Sequence, residues 1–413
     1  MAGSEQRTPD MLTLEAFEQA AERVKRVTQE TKLIESPYFS EQAGNRVFFK
    51  PENMQRTGAY KVRGAYYKIS TLTDDERARG LITASAGNHA QGVAYAAQRY
   101  GVAATIVMPT TTPLIKVERT KHYGAEVVLD GDVYDDAYAR AVQLAEQRGL
   151  TFIHPFNDLG VATGQGTIAM EIVQELPLVD YILVPVGGGG LACGVSTLAK
   201  LLNPHIHVIG VEPAGAACLQ ASFEAGHVVK LPSVSTIADG TAVQEPGDAV
   251  FPYLRENLDG IITVQDDELI VAFLDMVENH KMVVENSGLL TVAALRHLDF
   301  TGKKVVSVLS GGNMDVITMS SVVQHGLIAR DRIFTVSVLL PDKPGQLVGV
   351  AQVIAENDGN VVRLDHNQFV TTNRNAAVEL RVTIEAFGTQ HKEHIVAALQ
   401  DAGFQARVIQ ARL

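Results

Sequence analysis

Short apolar runs alternate with segments whose apolar residues recur at helical spacing along most of this chain. Leu81-Ile82-Thr83-Ala84, Ala104 to Met108, Glu126 to Leu129 and Thr151 to Ile153 read as strands. Helices are predicted up to Tyr100, from near Pro113, and over Tyr134 to Gln147. A second set of strands follows at Tyr181 to Val186, His207 to Val211, Gly260 to Val264 and Lys304 to Leu309, again with helices between. Strands alternating with helices predict parallel sheets covered on both faces. Ligands in such sheets bind beyond the carboxyl ends of the strands, so the informative loops are those that follow strands. Near Ala329-Arg330-Asp331 the pattern changes. Strand (Ile333 to Leu340), helix (Gly345 to Glu356), strand (Gly359 to Asn367), strand (Ala376 to Glu385), helix (Thr389 to Asp401) and strand (Ala406 to Gln410) form a βαββαβ order, a separate ferredoxin-like α+β unit.

At 413 residues the chain is long enough for two or three domains. A net charge of -12 disfavours nucleic acid or an anionic membrane as partner, so any phosphate site must be local and built from backbone amides. Two cysteines, Cys193 and Cys218, make neither a disulfide framework nor a CxxC metal pattern. Met1 to Asp10 is polar and lacks a signal-peptide core, and the uncharged stretch Tyr181 to Ala199 is broken by four glycines. That stretch reads as a buried strand, a loop and a helix rather than a membrane span, and the protein is expected to be cytoplasmic.

Four glycine-containing words carry candidate chemistry. In Arg56-Thr57-Gly58-Ala59-Tyr60-Lys61-Val62-Arg63-Gly64-Ala65, one lysine stands among small and aromatic neighbours, past the apolar run Val47-Phe48-Phe49. Desolvation disfavours a charged ammonium, and a neutral amine is what a Schiff base requires. Taken alone, though, a lysine is more often a solvated surface residue. Ser85-Ala86-Gly87-Asn88-His89-Ala90-Gln91-Gly92 lies between a strand and a helix. It suits close approach of a carboxylate to free amides, and equally an ordinary capped turn. Val186-Gly187-Gly188-Gly189-Gly190-Leu191 offers a nest of amides for a phosphate dianion but lacks GxGxxG spacing. Leu309-Ser310-Gly311-Gly312-Asn313 closes a strand and by itself reads as a capped turn.

Together and in this order, these words resemble the serine/threonine dehydratase family of fold-type II pyridoxal-phosphate enzymes, over roughly residues 10 to 325. The resemblance implies pyridoxal 5'-phosphate as cofactor and a tryptophan synthase beta-like α/β region with open parallel sheets. It makes Lys61 the catalytic and cofactor-bearing lysine and Asn88 a donor to the cofactor's ring hydroxyl. Gly187, Gly188, Gly189 and Gly190 would grip the phosphate, and Ser310 would face the pyridine nitrogen. Ser85, Ala86, Gly87 and His89 would hold the substrate. A serine hydroxyl can bond an unprotonated ring nitrogen, whereas a carboxylate would protonate it. The resulting weaker electron sink favours β-elimination over transamination. Glu285 matches a glutamate that the family places near the ring, but Asn286-Ser287 follow it where small Gly/Ala residues are usual. Ala59-Tyr60 likewise replace the family's Ser-Phe.

Within the family, Lys50-Pro51-Glu52-Asn53-Met54-Gln55-Arg56-Thr57-Gly58 and the Ser85 word are most similar to threonine-dehydrating members. This implies conversion of L-threonine to 2-oxobutanoate and ammonia, with side activity on L-serine. The alternative is a serine dehydratase or a serine racemase-like enzyme. Serine racemases of the family carry serine where this chain has Ala86, and alanine exchanges no proton. Their cation site uses a glutamate, matched by Glu212, and an aspartate whose position is Cys218 here, so no metal is expected. A reading from another class is a non-catalytic amino-acid sensor, against which the retained Lys61, Asn88, glycine loop and Ser310 argue. The tail, with Leu340-Pro341-Asp342-Lys343-Pro344-Gly345-Gln346-Leu347, resembles an ACT domain. That implies an amino-acid effector, isoleucine or valine by family analogy, near Gly345 and Asn360. The expected organisation is a catalytic region over 1–328, with a small subdomain at about 54–155 inserted in a large one, and an ACT domain over 331–413. The expected partners are the small-molecule substrate and effector and further copies of the chain, as homodimer or homotetramer.

Overall fold

The unbroken apolar runs become strands buried on both faces. In the computed structural model, which describes residues 11–367 and 378–410, Leu81–Ala84 and Ala104–Met108 are buried throughout, as strands covered by helices on both sides must be. Met1 to Asp10, and the first two residues of the strand expected over Ala376 to Glu385, lie outside the described residues.

The chain divides into two compact units, Met1–Asp315 and Val316–Leu413. The first holds two sheets. The larger has the spatial order Ile34–Glu35, Arg46–Lys50, Lys304–Val308, Tyr181–Pro185, His207–Pro213, Gly260–Val264. All its pairings are parallel except that of Ile34–Glu35 with Arg46–Lys50. The run Val47-Phe48-Phe49 is thus a strand, and the central pair Lys304–Val308 and Tyr181–Pro185 puts the Ser310 and glycine words side by side. The smaller sheet is wholly parallel, in the order Glu126–Leu129, Ala104–Met108, Leu81–Ala84, Thr151–Phe152.

Helix Leu159–Glu175 is the wedge that positions the site. Asp158 caps its start, its carboxylate accepting from the Val161 amide at 2.9 Å. A Cβ on Gly164 would lie 2.7 Å from the Gly64 Cα, and one on Gly194 would collide with the Ala162 carbonyl. Backbone therefore meets backbone on both sides, bringing helix Lys61–Thr71 and helix Gly190–Leu202 close to the same core.

Arg63, two residues after Lys61, is fully buried between two carboxylates. Its guanidinium donates to Glu52 at 2.7 and 2.8 Å and to Glu171 at 2.6 and 2.9 Å. Lys50 adds a second cation, 2.7 Å from Glu171.

In the second unit the expected βαββαβ order forms. Its sheet is antiparallel, ordered Asn360–Asn367, Val378–Glu385, Ile333–Leu340, Gln405–Ile409. Helices Gln346–Glu356 and Thr389–Asp401 contribute Val350, Ile354, Ile395 and Leu399 to a core shared with Val336, Val338, Leu380 and Val382. Among the described residues no helix is long and apolar enough to cross a membrane.

Candidate active site

Three of the four words follow adjacent parallel strands, and the backbones of the Lys61 and Ser310 words are sewn together. The Tyr60 amide donates to the Ser310 carbonyl at 3.1 Å, and the Gly312 amide to the Gly58 carbonyl at 2.9 Å. Gly58 has φ +72, and its missing side chain leaves the space that the Asn313 amide occupies. Lys61 then opens its helix, and Gly92 lets helix Asn88–Tyr100 lie against it, since a Cβ there would sit 3.1 Å from the Lys61 carbonyl carbon.

These contacts line an open cleft whose empty space, about 520 Å³, includes solvent at its mouth. Lys61, Asn88, Gly187, Gly188, Gly189, Gly190 and Ser310 all line it, with Tyr60, Phe156, Pro185, Leu191, Gly240, Thr241, Val243, Glu285 and Ser287. Gly189, at φ +94, turns the chain from strand Tyr181–Pro185 into helix Gly190–Leu202. The first amides of that helix have no intrahelical acceptor and point outward at the positive end of its dipole. Side chains would close this cradle: a Cβ on Gly188 collides with the Phe156 ring, and one on Gly190 would lie 2.7 Å from the Phe156 carbonyl oxygen.

The Lys61 amine donates to the Pro155 carbonyl at 2.9 Å. Desolvation lowers its pKa to about 8, against an opposing pull from Glu285. Glu285 is itself pushed up to about 7, by desolvation first and by Asp239 second, while a hydrogen bond from Asn88 at 2.6 Å opposes the rise.

Other expected residues stand differently. Ser85, Ala86 and Gly87 are half-buried at the start of helix Asn88–Tyr100, beside the cavity rather than among its lining residues, and the Ser85 hydroxyl accepts from the Gly87 amide at 3.2 Å. His89 is buried, with Nε2 3.0 Å from the Ile153 carbonyl. Because a carbonyl only accepts, Nε2 carries the hydrogen. Desolvation and the neighbouring Lys61 bring the His89 pKa down to about 3, so the ring is neutral. Glu212 is buried at the start of helix Cys218–Ala225, accepting from the Leu219 and Gln220 amides at 2.8 Å each. Among the described residues, no group of three or more His, Cys, Asp or Glu side chains is gathered that could hold a metal ion. In the second unit, Gly345 begins helix Gln346–Glu356 at φ +88, and Asn360 begins a strand and donates to Glu385 at 3.0 Å.

Phe156 and Thr241 belong to the site without any sequence signal, and Ser287, marked in the sequence only as a departure after Glu285, enters from the start of helix Asn286–Ala293. Only the fold brings them to the glycines.

Pyridoxal phosphate fits this donor set: an amine that sheds its proton easily, a glycine cradle that side chains would fill, and an uncharged hydroxyl across the cavity. Comparison with known proteins agrees. Residues 24–311 match the family described as pyridoxal-phosphate dependent enzyme. The chain is 43% identical to an L-threonine ammonia-lyase of Geobacter sulfurreducens over 97% of this chain and 100% of that protein. The processed form of threonine deaminase isoform 2 from Solanum lycopersicum superposes with a TM-score of 0.71 at 38% identity, covering 79% of this chain and 98% of that one. Maize serine racemase superposes with a TM-score of 0.72 at 34% identity, covering 77% and 98%. The chain belongs to the pyridoxal-phosphate-dependent enzymes, within their serine/threonine dehydratase family.

Proposed function

We propose that this protein converts L-threonine to 2-oxobutanoate and ammonia with pyridoxal 5'-phosphate as cofactor, and that it also accepts L-serine. The observation that carries this reading is the convergence of the Lys61 amine, the four glycines, Asn88 and Ser310 on one cavity. When bound, pyridoxal phosphate supplies the electron sink that acidifies the substrate Cα–H bond. Lys61 both anchors the cofactor and, when free, takes the α-proton. A pKa near 8 leaves a working fraction of its amine neutral at physiological pH. The amides of Gly187, Gly188, Gly189 and Gly190 hold the phosphate dianion at a helix start. Ser310 offers a hydroxyl and no charge to the ring nitrogen, which keeps the chemistry on elimination. Ser85, Ala86 and Gly87 orient the substrate carboxylate, with His89 bracing their turn from beneath through Ile153. The β-hydroxyl takes up a proton and leaves as water, and hydrolysis of the unsaturated amine product consumes one water as ammonia departs.

Racemisation has less support, because Ala86 exchanges no proton at the face where a second acid or base is needed. The organisation that goes with this reading is a catalytic region over 1–328 and an ACT domain over 331–413. The ACT domain would bind isoleucine or valine near Gly345 and Asn360. Assembly is as a homodimer or homotetramer, in the cytoplasm.

The test is steady-state kcat/KM for L-threonine, L-serine and D-serine, on the wild type and on Lys61→Ala. L-Threonine is expected to be the best substrate. The alanine variant should lose at least about a thousandfold, since anchor and base go together. Retention of most activity by Lys61→Ala, or no ammonia from L-threonine in the wild type, would overturn the reading.

A further inference from the structure

The two ends of an amide side chain look alike in shape, so its direction must be fixed by partners that cannot reverse. Asn313 Nδ2 lies 2.7 Å from the Thr57 carbonyl oxygen. A backbone carbonyl only accepts, so the atom facing it is the amide nitrogen. The same nitrogen lies 2.8 Å from the Asn88 side chain, which must therefore turn its Oδ1 toward Asn313. Asn88 Nδ2 is left on the other side, where it donates one hydrogen to Glu285 at 2.6 Å. Its second hydrogen remains for the cavity that Asn88 lines. The orientation of Asn88 is thus set by a backbone carbonyl on the far side of Asn313, in the space that Gly58 leaves open.

We propose that Asn313 is a positioning residue: the chain from the Thr57 carbonyl through Asn313 and Asn88 to Glu285 holds Asn88 with a hydrogen-bond donor facing the cavity. With pyridoxal phosphate in the cavity as proposed above, on which this inference rests, that donor meets the ring oxygen and favours its ionised form. Glu285 ends the chain as an acceptor. It takes the Asn88 hydrogen and also accepts from the Asn313 backbone amide, so both of its partners belong to the relay.

The test uses full-length apoenzyme titrated with pyridoxal phosphate. It follows dissociation constant and absorbance, because the bands of the bound cofactor report whether its ring oxygen is protonated. Asn313→Asp puts an acceptor where Nδ2 was, against two other acceptors, and should reverse the Asn88 amide. Asn313→Leu, similar in size and uncharged, removes the constraint without adding charge. Both should lower cofactor affinity, Asn313→Asp by about tenfold, the scale of one misdirected hydrogen bond beside a charged group. Both should also move absorbance from the ionised-oxygen band to the protonated one. Circular dichroism and Tm identify any variant that merely unfolds, in which case Asn313→Ala, which also removes Nδ2 without adding charge, carries the same contrast. Wild-type bands in both Asn313 variants would overturn the relay while leaving the threonine reading standing. A shift in Asn313→Asp alone would assign the effect to added charge and also overturn it. A wild-type protein that binds pyridoxal phosphate with the expected bands but releases no ammonia from L-threonine would overturn the activity and not the relay.

Discussion

The Lys61 amine sits against the Pro155 carbonyl and away from bulk water, and desolvation outweighs Glu285 in bringing its pKa to about 8. Only the neutral amine attacks the cofactor's aldehyde. The rate of cofactor capture by the apoenzyme should therefore rise about tenfold per pH unit below 8 and level off above it. Stopped-flow absorbance between pH 6 and 10.5 is the measurement. A rate still climbing at pH 10 would mean an ordinary solvated lysine and an open site. The neighbouring His89 was legible as part of the Ser85 word, and its burial against Ile153 was not. One residue's place in a motif does not say whether it faces a ligand or the backbone behind it, because that depends on which carbonyl the neighbouring strand brings near.

At the scale of elements, the site depends on how the Lys61 helix is moored. The fully buried Arg63 joins it to Glu52, in the turn after strand Arg46–Lys50, and to Glu171 on the wedge helix. Removing Arg63 leaves the fully buried Glu52 without a countercharge, while Glu171 keeps Lys50; breaking a buried pair in this way costs about 3–5 kcal/mol. Arg63→Met should lose about that much stability in denaturant titration, with weaker cofactor binding because Lys61 is two residues away. A loss below about 1 kcal/mol would show that water or rearrangement satisfies the carboxylates. Nothing in the local sequence marked Arg63 as buried. Its partners lie 11 and 108 residues away in the chain, and no periodicity joins them.

For the whole molecule, the division into two compact units bears on regulation. Truncation after Arg330 leaves the entire first unit in place. The shortened protein should fold, turn over L-threonine with kcat/KM close to that of the full chain, and lose any response to isoleucine or valine. If the tail binds an effector as proposed, threonine and effector change each other's affinity by the same factor in the full-length protein, typically about five- to 150-fold. Gly345→Val, which forces a β-branched residue to φ +88 at the head of helix Gln346–Glu356, should abolish that coupling. Calorimetry with the full chain and the truncated form reads both. Equal effector binding by the truncated form would move the regulatory site out of the tail.

The chain's own order of residues determined the alternation that makes parallel sheets, the βαββαβ tail, and the four words that hold the amine, the amides and the hydroxyl. These are local properties: strand and helix periods repeat within a dozen residues, and a glycine turn needs only its own φ and ψ. Tertiary structure alone decided which groups share the cavity and in what state. Phe156 and Thr241 enter from segments without signatures, and Ser287 from the first turn of helix Asn286–Ala293. Glu285 and Lys61 acquire their shifted pKa values from burial by distant segments, and Asn88 takes its direction from a carbonyl 31 positions earlier in the chain. Desolvation and hydrogen-bond direction are set by whatever lies across a gap of a few ångströms, and that neighbour is chosen by packing rather than by adjacency in sequence.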